Sequence, residues 1–277
     1  MSLLAAIASS RRRSGVTYDA DAASYFAAVE AVSSIGATAK NAANAYIVGL
    51  KSASLWTLIH QLYLYAGPNT LAGALVKAKG AGTRVNGGFA GGDFSPTLGL
   101  QSSGTKYVNN GFLANSLAAN SHSIFVYSSG GLAISGTPAI LSGCFSGAEQ
   151  SLLCLDSYVN YLSVVGRAFR SGTYTFASIP LFNSGLTTFG SIMGSRTANN
   201  SSAVYQNGAI KASNSQTVTT AFSAHNINSF CLNTSGTSQS EFSADRRQVE
   251  AFAAGLNNTQ AQQLHDLTTT YVNALNY

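Results

Sequence analysis

The chain has 277 residues, 45% of them hydrophobic, and only 9% charged against a usual share of about 25%. Serine and threonine together number 60, and 15 Lys and Arg against 10 Asp and Glu give a net charge of +5. This composition supports a buried core and excludes a disordered charged tail. It also excludes a phosphate-tracking nucleic-acid binder, because Arg11, Arg12 and Arg13 form one knot and the other cations are scattered.

In chain order, residues 1–18 read as an attachment arm. Leu3, Leu4 and Ile7 precede Arg11, Arg12 and Arg13. The apolar stretch is too short for a secretory leader, and its arginines follow rather than precede it. We expect these six residues to make assembly contacts, the apolar ones in a groove and the arginines on an acidic neighbour. A solvated basic arm is the plainer reading.

Residues 19–80 read as a helical subdomain. Asp19 or Asp21 caps a helix carrying Tyr25, Phe26, Val29 and Val32 at 3–4 spacing, ended by Gly36. A second helix runs from Thr38 to Lys51, with Ala42, Ala43, Tyr46, Ile47 and Leu50 on one face. Ser54 is positioned to cap a third, with Leu55, Leu58, Ile59 and Leu62 inward and Gly67-Pro68 as its stop. Trp56, the single tryptophan, is expected between these helices and the rest of the molecule.

Residues 81–277 read as a β-sandwich with a terminal helix at 259–275. Strands are expected over 106–108, 123–127, 139–145, 151–155, 158–169, 187–193, 227–232 and 248–253, separated by Ser and Gly clusters. Val204-Tyr205-Gln206-Asn207-Gly208-Ala209-Ile210 predicts a hairpin with a type I′ turn, because both turn residues need positive φ. Thr259 and Gln262 have the spacing of a capping box for the last helix. Cys144, Cys154 and Cys231 are odd in number, and two of them sit in apolar runs. Three buried thiols, folded in a reducing compartment, are expected. No apolar run approaches the ~18 residues of a membrane span, so no membrane insertion is expected.

Three segments carry a resemblance. They are Gly49-Leu50-Lys51-Ser52-Ala53-Ser54-Leu55-Trp56 with Tyr63-Leu64-Tyr65-Ala66-Gly67; Gly104-Thr105-Lys106-Tyr107-Val108-Asn109-Asn110-Gly111-Phe112; and Gly194-Ser195-Arg196-Thr197-Ala198-Asn199-Asn200, followed by the Tyr205-Gln206-Asn207-Gly208 hairpin and the terminal amphipathic helix. In this order, over residues 19 to 277, the chain resembles bacteriophage structural proteins with a concanavalin A-like (laminin-G-like) jelly-roll domain. The resemblance implies two antiparallel sheets packed face to face. It also implies a virion component of a tail or other external appendage, partnered by other virion proteins. The same fold serves lectins and some glycoside hydrolases, so host-surface polysaccharide is a further expected partner. Fold alone confers none of these activities.

The chemistry-bearing residues point away from catalysis. Calcium sites need several carboxylates, and the acidic residues here are few and dispersed: Asp93, Glu149, Asp156 and the pair Glu241/Asp245 before the last strand. No metal or other cofactor is expected. Glycosidases of the resembled fold carry an E-x-D-x-x-E pattern, which is missing. Glu241 and Asp245 read as a solvated loop or a contact with Arg246. His60, in the third expected helix, His122, His225 and His265 are far apart, and no H-E-x-x-H, G-x-S-x-G or P-loop motif occurs. The expected function is therefore a non-enzymatic virion structural protein that packs in many copies. Its low charge suits that, because few charges must lose water at each contact. A polysaccharide depolymerase on the same fold and a capsid decoration protein stay open as alternatives.

Overall fold

The sandwich begins with two helices that the sequence makes amphipathic. In a computed structural model, the structure describes residues 16–128, 139–146, 151–159, 165–172, 176–181, 190–215, 217, 222, 224–236 and 238–276. The arm residues Leu3, Leu4, Ile7, Arg11, Arg12 and Arg13 lie outside the described residues. Asp19 caps α1 (Ala20–Glu30), accepting the N–H of Asp21 at 3.0 Å, and the helix buries Ala22, Tyr25, Phe26 and Val29. Val32 lies beyond the helix and is exposed, and Gly36 is the N-cap of the next helix rather than the stop of the first. That helix, α2 (Ala37–Ser52), buries the face expected of it, with Ala39 added.

The third expected helix is a strand. Ser54 sits in a turn at φ 58, and the chain then runs extended as β1 (Ile59–Leu64). The reason is burial on both faces. Leu62 and Leu64 meet the helical layer while Tyr63 and Tyr65 enter the sandwich. A strand covered on both sides reads as a continuous apolar run, which period alone does not separate from a buried helix. After a single turn of helix, α3 (Leu71–Ala74), the chain forms β2 (Lys77–Lys79). Residues 19–80 therefore supply two strands of the main sheet as well as helices.

The remaining strands follow in order: β3 (Val85–Gly87), β4 (Phe94–Ser95), β5 (Gly99–Gln101), β6 (Tyr107–Leu113), β7 (His122–Tyr127), β8 (Ala139–Ser146), β9 (Ser151–Val159), β10 (Val165–Gly172) and β11 (Phe176–Leu181). The expected strand over 158–169 is thus divided between β9 and β10. Then come β12 (Ser191–Ala198), β13 (Ser201–Gln206), β14 (Ala209–Asn214), β15 (Asn226–Ser229), β16 (Leu232–Thr234), β17 (Ser238–Ser240), β18 (Arg246–Arg247) and β19 (Val249–Ala253). The β13–β14 hairpin turns on Asn207 at φ 51 and Gly208 at φ 75, as the Asn-Gly pair predicts.

A seven-stranded antiparallel sheet has the order β14-β13-β12-β7-β19-β1-β2. It faces a nine-stranded sheet, seven strands of which run in the order β11-β10-β9-β8-β15-β6-β3, while the other two, the β16–β17 hairpin, join through a parallel pairing of β16 with β8. A small sheet joins β18, β5 and β4. Between the large sheets, Tyr63, Tyr65, Ile124, Val126, Ile192 and Phe252 meet Val108, Phe112, Leu141, Ile227 and Phe230. On the other face of the seven-stranded sheet, Leu62, Leu64, Phe125, Met193 and Val249 pack under Phe26, Ile47, Leu50 and Leu264. The expected mainly β architecture, an antiparallel β-sandwich with N-terminal helices and a C-terminal helix, is the one found.

The last helix, α4 (Asn258–Ala274), is capped two residues earlier than expected. Asn257 accepts the N–H of Gln260 at 3.0 Å and Gln260 accepts the N–H of Asn257 at 2.9 Å. Gln262 is occupied elsewhere, donating to Asp266 at 2.8 Å. The Asn-x-x-Gln and Thr-x-x-Gln spacings overlap, and the carboxamide outside the helix wins. Among the described residues, no helix is long and apolar enough to cross a membrane.

Candidate functional site

The carboxylates come together where the sequence did not place them. Asp245, Arg247 and Glu250 lie on or beside β18 and β19, fully buried between the sheets. Arg247 donates from Nε to Asp245 Oδ2 at 2.7 Å, and from Nη1 to Glu250 Oε1 at 3.2 Å and Ser142 Oγ at 3.0 Å. Its Nη2 reaches Ser243 Oγ at 3.2 Å, Asp245 Oδ1 at 3.1 Å and the Leu141 carbonyl. The guanidinium also stacks over Phe230, 3.8 Å from the ring centre. Glu250 accepts from Tyr65 Oη at 2.7 Å, from Ser229 Oγ at 2.5 Å and from Ser142 Oγ. Arg84 extends the network by donating to Tyr65 Oη at 2.6 Å.

This arrangement corrects one expectation. Asp245 is neither solvated nor paired with Arg246, whose Nε instead donates to Gln101 Oε1 at 2.9 Å. Glu241 is exposed at φ 50, outside this buried cluster. Glu250 joins the cluster unannounced, and its one signal in the sequence is a charged residue within the apolar strand Val249-Glu250-Ala251-Phe252-Ala253. Two carboxylates clamped on one buried guanidinium have no access to a substrate, so the cluster is a core anchor. Glu149 and the side chain of Asp156 lie outside the described residues.

The other chemistry-bearing residues do not converge either. His60 is on β1, not on a helix; it is exposed and stacked on Phe112 with ring centres 6.5 Å apart. His122 is buried, with Nδ1 2.9 Å from the Ala118 carbonyl, and burial pushes its pKa down to about 3. His265 pairs with Ser191 Oγ at 2.9 Å, and burial lowers it as well. Among the described residues, no three His, Cys, Asp or Glu side chains are grouped to hold a metal ion. Cys144 and Cys231 are buried, and burial pushes the Cys231 thiol up to about 12. The Cys154 side chain lies outside the described residues. Trp56 is half-buried against the helical core and not enclosed; the Lys79 and Lys51 ammonium groups lie 4.6 Å and 5.7 Å from its ring centre.

An open site is found where the helical layer stops. Strands β12, β13 and β14 extend past the first turn of α4, leaving a cleft of about 340 Å³ between sheet and helix, within the range of small-ligand pockets. Its floor is Ser195, Ser202, Ala203 and Tyr205, and its rim is Thr197, Ser201, Ile210, Ser213 and the Asn257-Asn258-Thr259 turn. Ser195 Oγ is held by the Leu256 N–H and carbonyl, both at 2.8 Å, and by Ser123 Oγ at 2.9 Å. That knot requires Gly255, because a Cβ there would lie 2.0 Å from the Arg196 carbonyl oxygen. Tyr205 is 3% exposed and donates from Oη to Asn258 Oδ1 at 2.8 Å, tying the strand to the helix. Burial raises the pKa of this phenol. Thr197 Oγ1 donates to Ser201 Oγ at 3.2 Å on the rim. Among the described residues, the lining holds hydroxyl and carboxamide groups and no charged side chain. Arg196 is spent on the Ala198 and Asn199 carbonyls. Sequence reading did not single out this cleft, because its parts lie some 60 residues apart along the chain.

No family model matches the chain. No curated protein matches it. Among solved structures, it is similar to domain 4 of AbnA, a GH43 extracellular arabinanase from Geobacillus stearothermophilus, with TM-score 0.46 and 13% identity over 75% of this chain and 99% of that one. It is also similar to the botulinum neurotoxin serotype D binding domain, with TM-score 0.48 and 12% identity over 76% of this chain and 51% of that one. A third is the Ruminococcus gnavus IT-sialidase CBM40, with TM-score 0.39 and 13% identity over 53% of this chain and 84% of that one. Against the NanB sialidase of Streptococcus pneumoniae the chain spans 25% of the other protein's length.

Proposed function

We propose that the protein is a non-enzymatic structural component of a bacteriophage virion, in a tail or other external appendage, and that its sandwich binds a host-surface glycan in the cleft beside α4. The cleft carries the glycan reading. It is open, sized for a small ligand and lined by hydroxyl and carboxamide groups, which pair with sugar hydroxyls as both donors and acceptors. The non-enzymatic reading is supported by Asp245 and Glu250, the buried carboxylates, being locked on Arg247. The virion reading rests on the resemblance of the sequence and on its scarcity of charge, which favours close packing of copies and of other virion proteins.

The test is a glycan array of host-surface polysaccharides, run with the full chain and with Asn258→Ala. Binding by the parent and loss in the variant are expected. Silence of the parent overturns the glycan reading, and release of oligosaccharides from a bound polysaccharide makes the protein a depolymerase. Deleting residues 1 to 14 should leave a folded chain that no longer enters particles; normal incorporation overturns the role of Leu3, Leu4, Ile7 and Arg11–Arg13.

A further inference from the structure

Resting on the glycan reading above, we infer that the cleft selects an uncharged, N-acetylated sugar and binds it without a divalent cation. Three features of the lining carry this. First, none of the described residues that line the cleft carries a carboxylate, so they offer a calcium ion, which needs several, nothing to hold it. Second, none of these described lining residues is Lys or Arg, so among them a sugar carboxylate or phosphate would lose water with no cation to compensate. An uncharged sugar has no such cost.

Third, the rim is amphipathic in a way that a plain hexose does not use. Ile210 is 45% exposed, and it faces the cleft because it pairs with Tyr205 in the hairpin register and shares its side of the sheet. Asn258 accepts the Tyr205 hydroxyl on Oδ1, which orients its carboxamide and leaves Nδ2 as the donor. Thr197 and Ser201 stand at the other end of the cleft, four residues along the strand from Tyr205, where their hydroxyls can meet hydroxyls of the sugar. An acetamido group presents a carbonyl acceptor and a methyl, and at the Tyr205 end of the cleft Asn258 Nδ2 and Ile210 supply a partner for each. The Tyr205 ring is buried, so stacking contributes little and the methyl contact on Ile210 decides between neighbouring sugars.

Calorimetric titration of the full chain with a neutral hexose, its 2-acetamido counterpart and its uronic acid tests this. The acetamido sugar should bind about four-fold more tightly than the plain hexose, the worth of one buried methyl group, and the uronic acid more weakly than both. EDTA should leave the affinity unchanged. Ile210→Ser, at an exposed position and checked by an unchanged melting temperature, should erase the four-fold preference. Equal affinities for the two neutral sugars, a preference for the uronic acid, or loss of binding in EDTA overturns this inference while glycan binding stands. Binding of none of the sugars on a broad array overturns both.

Discussion

Arg247 shows what a single buried charge requires. A guanidinium taken out of water needs all its donors served, and here two carboxylates, two serine hydroxyls and the Leu141 carbonyl serve them. Replacing Arg247 by Met would leave Asp245 and Glu250 buried together without their cation. Destabilisation by about 3–5 kcal/mol is expected, read as a fall in the urea midpoint; a change below about 1 kcal/mol would contradict the anchor role. The pairing is legible in the sequence from strand alternation, while adjacency points only to a solvated loop or a contact with Arg246. In an extended segment, residues two apart share a face and neighbours oppose. Asp245 and Arg247 therefore point inward together, and Arg246 points away. Glu250 was hidden by a different cause, since its ligands Ser142, Ser229 and Tyr65 come from strands far off in the chain.

At the scale of elements, the caps and the periodicities divide what was legible. Helices α1 and α2 pack one face only, so their apolar spacing was sufficient to find them. Strand β1 packs both faces, and its apolar run carried no period that separated strand from helix. For α4, the existence of the helix was clear while its first residue was not. Asn257→Ala should cost about 1 kcal/mol by leaving the Gln260 N–H without its acceptor. Thr259→Ala, on the cap that the structure does not use, should stay within about 0.5 kcal/mol. Thermal melts of the two variants side by side distinguish the assignments, and the reverse order would restore the Thr259 cap.

The whole molecule has few titrating groups, so its response to acid is carried by few of them. His122 is neutral in the folded chain down to about 3, while in the unfolded chain it takes up a proton below about 6.5. The unfolded state therefore binds more protons as pH falls through that window, and stability declines by at most about 1.4 kcal/mol per pH unit from this residue. His265, half-buried and also lowered by burial, acts in the same direction. Asp19, held low chiefly by the Lys51 hydrogen bond, and Asp93, held low chiefly by the Ala90 N–H, contribute stability that is lost only below about 4. Denaturant midpoints between neutral pH and pH 4 should fall for the parent, and His122→Gln should flatten that limb; an unchanged slope would mean that His122 is reached by water. The cleft, too, belongs to this scale, because it exists only once β12–β14 and the start of α4 are brought together. The central pairing of β1 with β19 joins residues 59–64 to residues 249–253, and α2 is closed by α4 through the Tyr46–Thr268 hydroxyl pair. During synthesis, then, the middle of the main sheet stays open until nearly the last strand has emerged from the ribosome. The protein should fold late and slowly, as chains dominated by distant pairings do, and nascent copies need shielding from one another until the seam closes.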